Sequence, residues 1–245
     1  MRVHFVSLHI EQSSRSLPLG AAKVASAVQE HFADTLQIHL IDCFLTDQTS
    51  VNRAKILDGN PDCLGFSVYL WNTQESITLI RSIKKAHPHC CIVVGGPQPT
   101  GLPEFFSAIP EIDYIITGEA EASAIGLFQS LVDDSLPRSE RLIPGRLPIL
   151  RELPSPYLTG LIDLKKYTGA LWELSRGCPY RCAFCFESRG TSSIRRFPPE
   201  IIRQELELFQ SSGVREILVL DPTFNFNLNP YKPSSNPLPH KMECI

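Results

Sequence analysis

Hydrophobic residues form five short runs in residues 1–133, and polar or mixed segments separate them. The runs are rich in Val, Ile and Phe, and some are nearly continuous in apolar residues, which is typical of strands covered on both faces. We therefore predict five buried strands. They span Val3–Leu8, Leu36–Asp42, Cys63–Tyr69, Cys90–Val94 and Ile112–Thr117.

Between these runs, apolar residues recur at helical spacing. The clearest predicted helices are Pro18–Phe32, Asn72–Ala86 and Glu121–Asp133, and weaker helical patterns follow Ser50 and Pro103. Alternation of strands and helices predicts an α/β fold with a doubly wound parallel sheet and right-handed crossovers. We expect the flavodoxin-like strand order 2-1-3-4-5.

A second strand–helix–strand pattern follows a proline-rich stretch without a clear period. It comprises the strand Ala170–Ser175, a helix from Pro198 or Pro199 to Ser212, and the strand Arg215–Leu220. This order is typical of the first units of a β/α barrel. Because two strands cannot close a barrel, we expect a truncated one. The predicted parts are a sheet domain (1–133), a linker (134–169), an incomplete barrel (170–225) and an irregular tail (226–245).

Three cysteines follow the first strand of the second pattern. Cys178, Cys182 and Cys185 have the spacing C-x3-C-x2-C, and Gly177 and Pro179 predict that they lie in a loop. Three thiolates are one short of a closed zinc site. On a 4Fe–4S cluster they leave one iron open for a small molecule. The alternatives are a zinc site with a distant fourth ligand, or three unrelated thiols.

The spacing, with Phe184 before the last cysteine, resembles the C-x3-C-x-aromatic-C motif of radical S-adenosylmethionine (SAM) enzymes. The resemblance implies a 4Fe–4S cluster on the three cysteines and SAM on its open iron. It implies reductive cleavage of SAM to a 5′-deoxyadenosyl radical, and an electron donor such as flavodoxin or ferredoxin. Phe184 and Asp221 are the expected SAM-binding residues; for Asp221 the alternative is an Asx turn before Pro222. The substrate is not indicated.

The loops after predicted strands 3, 4 and 5 carry Ser67, Gly95-Gly96 and Gly118-Glu119 in turn. They resemble the loops of the cobalamin-binding domain that precedes many radical SAM domains. The resemblance covers about residues 1–133. It implies that these loops bind the corrin and the nucleotide tail of cobalamin. Paired glycines let a backbone approach a large planar ligand, although Gly-Gly-Pro also forms ordinary turns. The expected cobalamin-binding residues are Ser67, Tyr69, Gly95, Gly96, Gly118 and Glu119.

The cobalt-binding signature of that family, D-x-H-x-x-G, is incomplete here. The corresponding stretch reads Ser7-Leu-His9-Ile-Glu-Gln12, so the Asp that would orient the imidazole and the Gly are missing. We therefore expect His9 to be a loop or edge histidine rather than a cobalt ligand. The same fold without cobalamin, and a non-catalytic or vestigial corrinoid-binding fragment, are the alternatives.

Composition narrows the classes of partner. The chain is 43% hydrophobic and 20% charged, with a net charge of −3 and no basic block, which argues against nucleic acid or an anionic membrane. The sequence contains no run of about eighteen apolar residues, so we predict no membrane span. Without a signal peptide, we expect a cytoplasmic, reducing location with cysteines as thiols or metal ligands. Cys43, Cys63, Cys90 and Cys91 lie in apolar runs, and we expect them to pack as small hydrophobic side chains.

Overall fold

The computed structural model describes residues 1–13, 16–135 and 140–224, with the backbone alone at residues 188 and 189. The predicted tail, 226–245, lies outside the described residues. The strands are β1 Arg2–His9, β2 Gln37–Phe44, β3 Cys63–Ser67, β4 Cys91–Gly95, β5 Tyr114–Thr117, β6 Leu142–Pro144, β7 Gly169–Trp172, β8 Ser175–Arg176, β9 Arg195–Arg196 and β10 Glu216–Val219. The helices are α1 Leu19–Phe32, α2 Thr49–Leu57, α3 Thr73–Ala86, α4 Pro97–Gly101, α5 Pro103–Ser107, α6 Glu121–Val132 and α7 Pro199–Ser211. None of the described helices is long and apolar enough to cross a bilayer.

Six parallel strands form the main sheet in the order β2-β1-β3-β4-β5-β6. The predicted flavodoxin-like order of the first five strands is confirmed. The sixth strand was not predicted: Ile115 pairs with Leu142 and Thr117 pairs with Pro144, inside the segment that was expected to be a linker. The sixth strand has only three residues, beside prolines and arginines, which is too short to show the alternation of apolar and polar residues that predicts a strand.

The side chains of the sheet alternate between two apolar clusters, one on each face. In β1, Val6 and Leu8 belong to the cluster that also contains residues of α2, α3 and α5. Val3 and Phe5 belong to the cluster that also contains residues of α1 and α6. Because helices cover both faces, the central strands are apolar at nearly every position.

Helix α1 also packs against the second half of the chain. Leu19 and Ala22 share a third apolar cluster with Trp172 of β7 and Phe209 of α7. β7 pairs in parallel with β10, and α7 connects them as a β-α-β unit. The strand predicted to end at Ser175 ends at Trp172, and β8 then pairs antiparallel with β9.

Three of the four cysteines in and beside the main sheet are buried as predicted, whereas Cys91 is half-buried. Cys43 and Cys63 are fully buried, and Cys90 is 5% exposed. Burial raises the pKa of Cys43 to about 12 and that of Cys90 to about 11. Thiols with such high pKa values stay protonated at neutral pH and act as small hydrophobic side chains.

Candidate functional site

A cavity of about 810 Å³ lies at the carboxyl edge of the main sheet. One wall consists of the loops after β3, β4 and β5. The opposite wall consists of β8, residues just after β10, and part of the segment 177–192, here called the cysteine segment. Cys178, Cys182 and Cys185 are not among the lining residues. Parallel sheets of this kind bind ligands at this edge. The structure brings the predicted cobalamin-binding residues together, because Ser67, Tyr69, Gly95, Gly96, Gly118 and Glu119 all line the cavity.

Two adjacent glycines form part of the cavity wall in different ways. Gly96 has a φ of +109°, and a Cβ there would lie 2.7 Å from the carbonyl oxygen of Val68. Only glycine tolerates this close approach of two loop backbones. Gly95 has an ordinary backbone, and the atom nearest to an added Cβ would be the Ile116 carbonyl oxygen at 3.6 Å. A side chain at Gly95 would therefore occupy space without straining the loop.

Two polar side chains fix the loops around the cavity, and sequence reasoning missed both roles. Asn72, the first residue of a predicted helix, accepts a hydrogen bond from the Tyr69 amide at 2.8 Å and donates to a β1 carbonyl at 3.0 Å. Thr100 accepts from the Gly118 amide and donates to the Gly96 carbonyl, both at 2.8 Å. A polar residue just after a buried strand was the available signal in the case of Asn72.

The deep end of the cavity is apolar and lies between the sheet and helices α1 and α6. Tyr69 reaches over α1 at Gly20, where a Cβ would lie 2.7 Å from the tyrosine hydroxyl. An apolar recess beside a glycine-lined wall suits a large ligand with flat apolar parts. The recess is lined by Phe5, Val24, Val93, Ile116, Ala124 and Phe128.

Charged side chains form an ion-pair network across the cavity. Arg176 of β8 lies 2.7 Å from Glu119, 2.6 Å from Glu121 and 3.1 Å from Glu173. Arg195 of β9 contacts the other carboxylate oxygen of Glu119. The Glu173–Arg176 pair joins residues three positions apart, whereas the pairs with Glu119 and Glu121 join residues far apart in the sequence. We call these five residues the Glu119 network.

Burial and neighbouring charges compete in this network. Burial alone would raise the pKa of Glu173, but the charges of Lys23, 2.7 Å away, and Arg176 lower it below its usual value. Burial alone would lower the pKa of Arg176, but Glu121 and Glu173 raise it. Glu187 also lines the cavity, and burial, aided by nearby carboxylates, raises its pKa. Glu173 and Arg176 are therefore held in their charged forms, whereas Glu187 is more easily protonated than an exposed glutamate.

The three motif cysteines differ in exposure. Cys178 is buried, Cys185 is half-buried and Cys182 is exposed. Gly177, at φ +89°, lets the chain pass close to a backbone carbonyl oxygen before the first cysteine. In the part of the chain that the structure describes, no three His, Cys, Asp or Glu side chains are placed to hold a metal ion. The sulfurs are therefore in one segment but are not gathered around a point. Phe184 is 94% exposed.

Asp221 lies at the end of β10 and binds the chain just before the cysteine segment. One carboxylate oxygen accepts hydrogen bonds from the amides of Leu174 and Ser175, at 2.7 and 3.0 Å. The other accepts from the Ser175 hydroxyl at 2.7 Å. Both carboxylate oxygens of Asp221 therefore accept hydrogen bonds from the connection between β7 and β8, rather than from the amides of an Asx turn. These bonds fix the path of the chain from β7 into β8. A contact of Asp221 with SAM stays a prediction.

His9 ends β1 but lies outside the cavity. Its Nε2 is 2.8 Å from a carboxylate oxygen of Asp42 in β2, and Tyr167 donates to the other oxygen at 3.1 Å. No histidine is among the described residues that line the cavity. His9 therefore has a carboxylate partner, supplied by the neighbouring strand rather than by the missing motif position. Its role as an edge histidine rather than a cobalt ligand stays a prediction.

Comparison with known families identifies the first half of the chain. Residues 12–127 match the B12 binding domain family. We call these residues the B12-binding domain, after the family that they match. The matched residues contain β2 to β5 and the loops that line the cavity. Together with the relatives below, this match confirms the resemblance to cobalamin-binding radical SAM proteins.

Two relatives of this chain are longer proteins. The chain is 35% identical over 207 residues to the 2-(S-pantetheinyl)-carbapenam-3-carboxylate methyltransferase of Streptantibioticus cattleyicolor, covering 74% of this chain and 30% of the relative. It is 33% identical over 190 residues to the cobalamin-dependent radical SAM methyltransferase TokK of Streptomyces tokunonensis, covering 67% of this chain and 28% of the relative. The chain thus spans less than a third of the length of either protein.

A solved structure shares the fold of both halves. The cobalamin-dependent SAM radical enzyme OxsB, with aqua-cobalamin and SAM bound, matches 94% of this chain and 35% of its own, with a TM-score of 0.75 and 23% identity. At this identity the likeness establishes the fold alone.

Proposed function

We propose that this chain binds cobalamin in the cavity, a 4Fe–4S cluster through Cys178, Cys182 and Cys185, and SAM beside that cluster. The protein to which it corresponds would be a cobalamin-dependent radical SAM methyltransferase. The observation that carries the proposal is the shared cavity, since loops of the B12-binding domain form one wall and the cysteine segment forms the other. When bound, cobalamin would carry a methyl group, and the reduced cluster would supply the electron that cleaves SAM.

The cavity residues fit a corrinoid. A volume of about 810 Å³ is large for a ligand site, since typical sites measure roughly 300–1,000 Å³. Gly95 leaves no side chain where a planar ring would approach the backbone, and Gly96 lets the loops after β3 and β4 pass close together. Ser67 and Tyr69 supply hydroxyl groups, and the apolar recess between the sheet and α1 would take an apolar portion of the nucleotide tail.

The cysteine segment fits an iron–sulfur cluster in its donor set. Three thiols from one segment are the ligands that leave one iron of a cubane open. An electron donor such as flavodoxin or ferredoxin would reduce that cluster. The separated positions of the three sulfurs favour a second candidate function, a corrinoid-binding protein that carries no cluster.

Titration with hydroxocobalamin tests the corrinoid site. We expect a saturable shift of the visible spectrum with the wild-type chain and a much weaker one with Gly95→Leu, whose side chain would enter the cavity. Gly126→Ala is the matched control, because nothing lies within 4 Å of an added Cβ there. If wild type and Gly95→Leu bind equally, cobalamin does not occupy this cavity.

Anaerobic reconstitution with iron and sulfide tests the cluster. We expect broad visible absorption that is lost when Cys178, Cys182 and Cys185 are all replaced by Ala and is retained in Cys91→Ala. A colourless chain with stoichiometric zinc would contradict the cluster. Cobalamin binding without a cluster would support the second candidate. Formation of 5′-deoxyadenosine from SAM and dithionite would separate an active enzyme from both.

A further inference from the structure

Glu119 contacts both strands that border the cysteine segment. One carboxylate oxygen lies 2.7 Å from Arg176 of β8, which precedes Cys178 by two residues. The other contacts Arg195 of β9, which follows the segment. One side chain of the B12-binding domain therefore binds the chain on both sides of the three cysteines.

The contacts around Glu119 are well shielded from water. The side chain of Arg176 is 11% exposed, that of Arg195 is 21% exposed and that of Glu119 is 23% exposed. Ion pairs at this depth are less screened than surface pairs and fix geometry more strongly. Arg195 also donates to the Pro148 carbonyl at 3.2 Å, which limits its freedom to turn away.

The remaining members of the network support the same position of Arg176. Glu121 accepts from it at 2.6 Å on the B12-binding side, and Glu173 accepts from it at 3.1 Å on the side of β7. A guanidinium has five N–H donors in a fixed plane, so a set of carboxylates defines its orientation as well as its place.

We propose that Glu119 is a positioning residue that fixes the cysteine segment over the cavity, rather than a direct cobalamin contact. The inference rests on the proposed function, because its consequence concerns two bound cofactors. A corrin in the cavity and a cluster on the cysteines would then have one defined separation, set by the pairs of Glu119 with Arg176 and Arg195. Both carboxylate oxygens are already engaged by arginines, which argues against a primary role in binding the corrin.

Hydrogen exchange in the full chain without cofactors tests the contact itself. Glu119→Gln keeps the side-chain shape and removes the charge. We expect amides of Arg176 to Cys178 and of Arg195 to Phe197 to exchange roughly tenfold faster, because local opening governs their exchange. Glu111→Gln is the control, since Glu111 pairs only weakly with Arg81, at 3.9 Å, outside the cavity. Unchanged exchange on both sides of the cysteine segment in Glu119→Gln would overturn the proposal.

Spectroscopy of the loaded chain tests the consequence. With cob(II)alamin and the reduced cluster bound, both centres are paramagnetic, and their mutual splitting in the electron paramagnetic resonance spectrum depends on their separation. We expect Glu119→Gln to weaken or broaden that splitting while hydroxocobalamin affinity changes by less than about threefold, well below the 1.4 kcal/mol that a tenfold change represents.

The outcomes separate this inference from the proposed function. A tenfold or greater loss of cobalamin affinity with unchanged exchange would make Glu119 a cobalamin contact and overturn the positioning role. Unchanged splitting in Glu119→Gln would overturn it as well. If the wild-type chain binds neither cofactor, the proposed function fails and the consequence fails with it, while hydrogen exchange still decides whether Glu119 fixes the segment.

Discussion

Replacing Gly96 by Ala should destabilise the chain measurably, because its backbone conformation excludes a side chain. With φ +109° and ψ −174°, Gly96 occupies a region that is essentially restricted to glycine. Placing another residue there costs about 1–3 kcal/mol. The added Cβ would also lie 2.7 Å from the carbonyl oxygen and 3.1 Å from the nitrogen of Val68. Both are backbone atoms of the neighbouring loop, so relief requires a loop to move.

The expected loss can be measured as a shift in the unfolding midpoint. One kcal/mol corresponds to roughly 2–4 °C in Tm for a chain of this size, so Gly96→Ala should lower Tm by about 2–12 °C. The assay is thermal and urea unfolding of the cofactor-free chain followed by circular dichroism. Hydroxocobalamin affinity should fall as well, since the loops after β3 and β4 must separate.

Alanine variants of two further glycines are controls for Gly96→Ala. Gly95→Ala should leave Tm nearly unchanged, because its added Cβ meets nothing closer than 3.6 Å. Gly126→Ala, inside α6 with open space around it, should gain about 0.5–1 kcal/mol from the lower helix cost of alanine. If Gly96→Ala is as stable as Gly95→Ala, the argument from backbone conformation is wrong.

Three other predictions concern the structure behind the cavity. Asp221→Ala leaves two amides of the β7–β8 connection without an acceptor, so the free energy of unfolding in urea should fall by about 1–3 kcal/mol. We also expect a lower cluster yield with cobalamin binding kept. An unchanged urea midpoint would contradict the role of Asp221. Glu205 is buried and accepts a hydrogen bond from Trp172 at 2.8 Å. Glu205→Ala should lower the free energy of unfolding by about 1–3 kcal/mol more than Glu207→Ala, which changes the exposed face of α7. Equal losses in the two variants would refute a stabilising role of the Glu205 hydrogen bond. Burial, with a smaller contribution from neighbouring cations, lowers the pKa of His4 below its usual 6.5. The folded state therefore binds fewer protons than the unfolded state. Wild-type stability should fall as pH drops below about 6.5 towards the pKa of His4 in the folded state, and it should fall more steeply than the stability of His4→Gln. Parallel plots of stability against pH for the two chains would contradict a lowered pKa of His4.

The central part of the fold could be predicted because burial leaves a direct pattern in the sequence. β3 and β4 lie between two helical layers, so nearly all their positions are apolar, and the helices beside them show the complementary spacing. Element ends were harder to predict. The third strand was expected to reach Tyr69 but ends at Ser67, where the loop turns and the Val68 amide donates to the Gly95 carbonyl.

The cavity wall was predictable where glycine was required, and less so where a hydrogen bond was required. Gly95 and Gly96 follow a buried strand directly and could be found from their type and place. Thr100 could not, because its partners are the backbone of its own helix and the Gly118 amide, 18 residues away. A side chain that bonds to backbone atoms places no requirement on the residue type of its partner, so no pair pattern appears in the sequence.

Ion pairs around the cysteine segment also could not be predicted where the two residues are far apart in the sequence. Glu173 and Arg176 are three residues apart in the sequence, and they form a local pair at 3.1 Å. The shorter contacts of the arginine are with Glu121 and Glu119, 55 and 57 residues away. Because one guanidinium has five donors, a satisfied local pair does not exhaust it. The local pattern therefore identifies Arg176 as a paired residue but understates its role, and the contacts that join the B12-binding domain to the cysteine segment follow only from the fold.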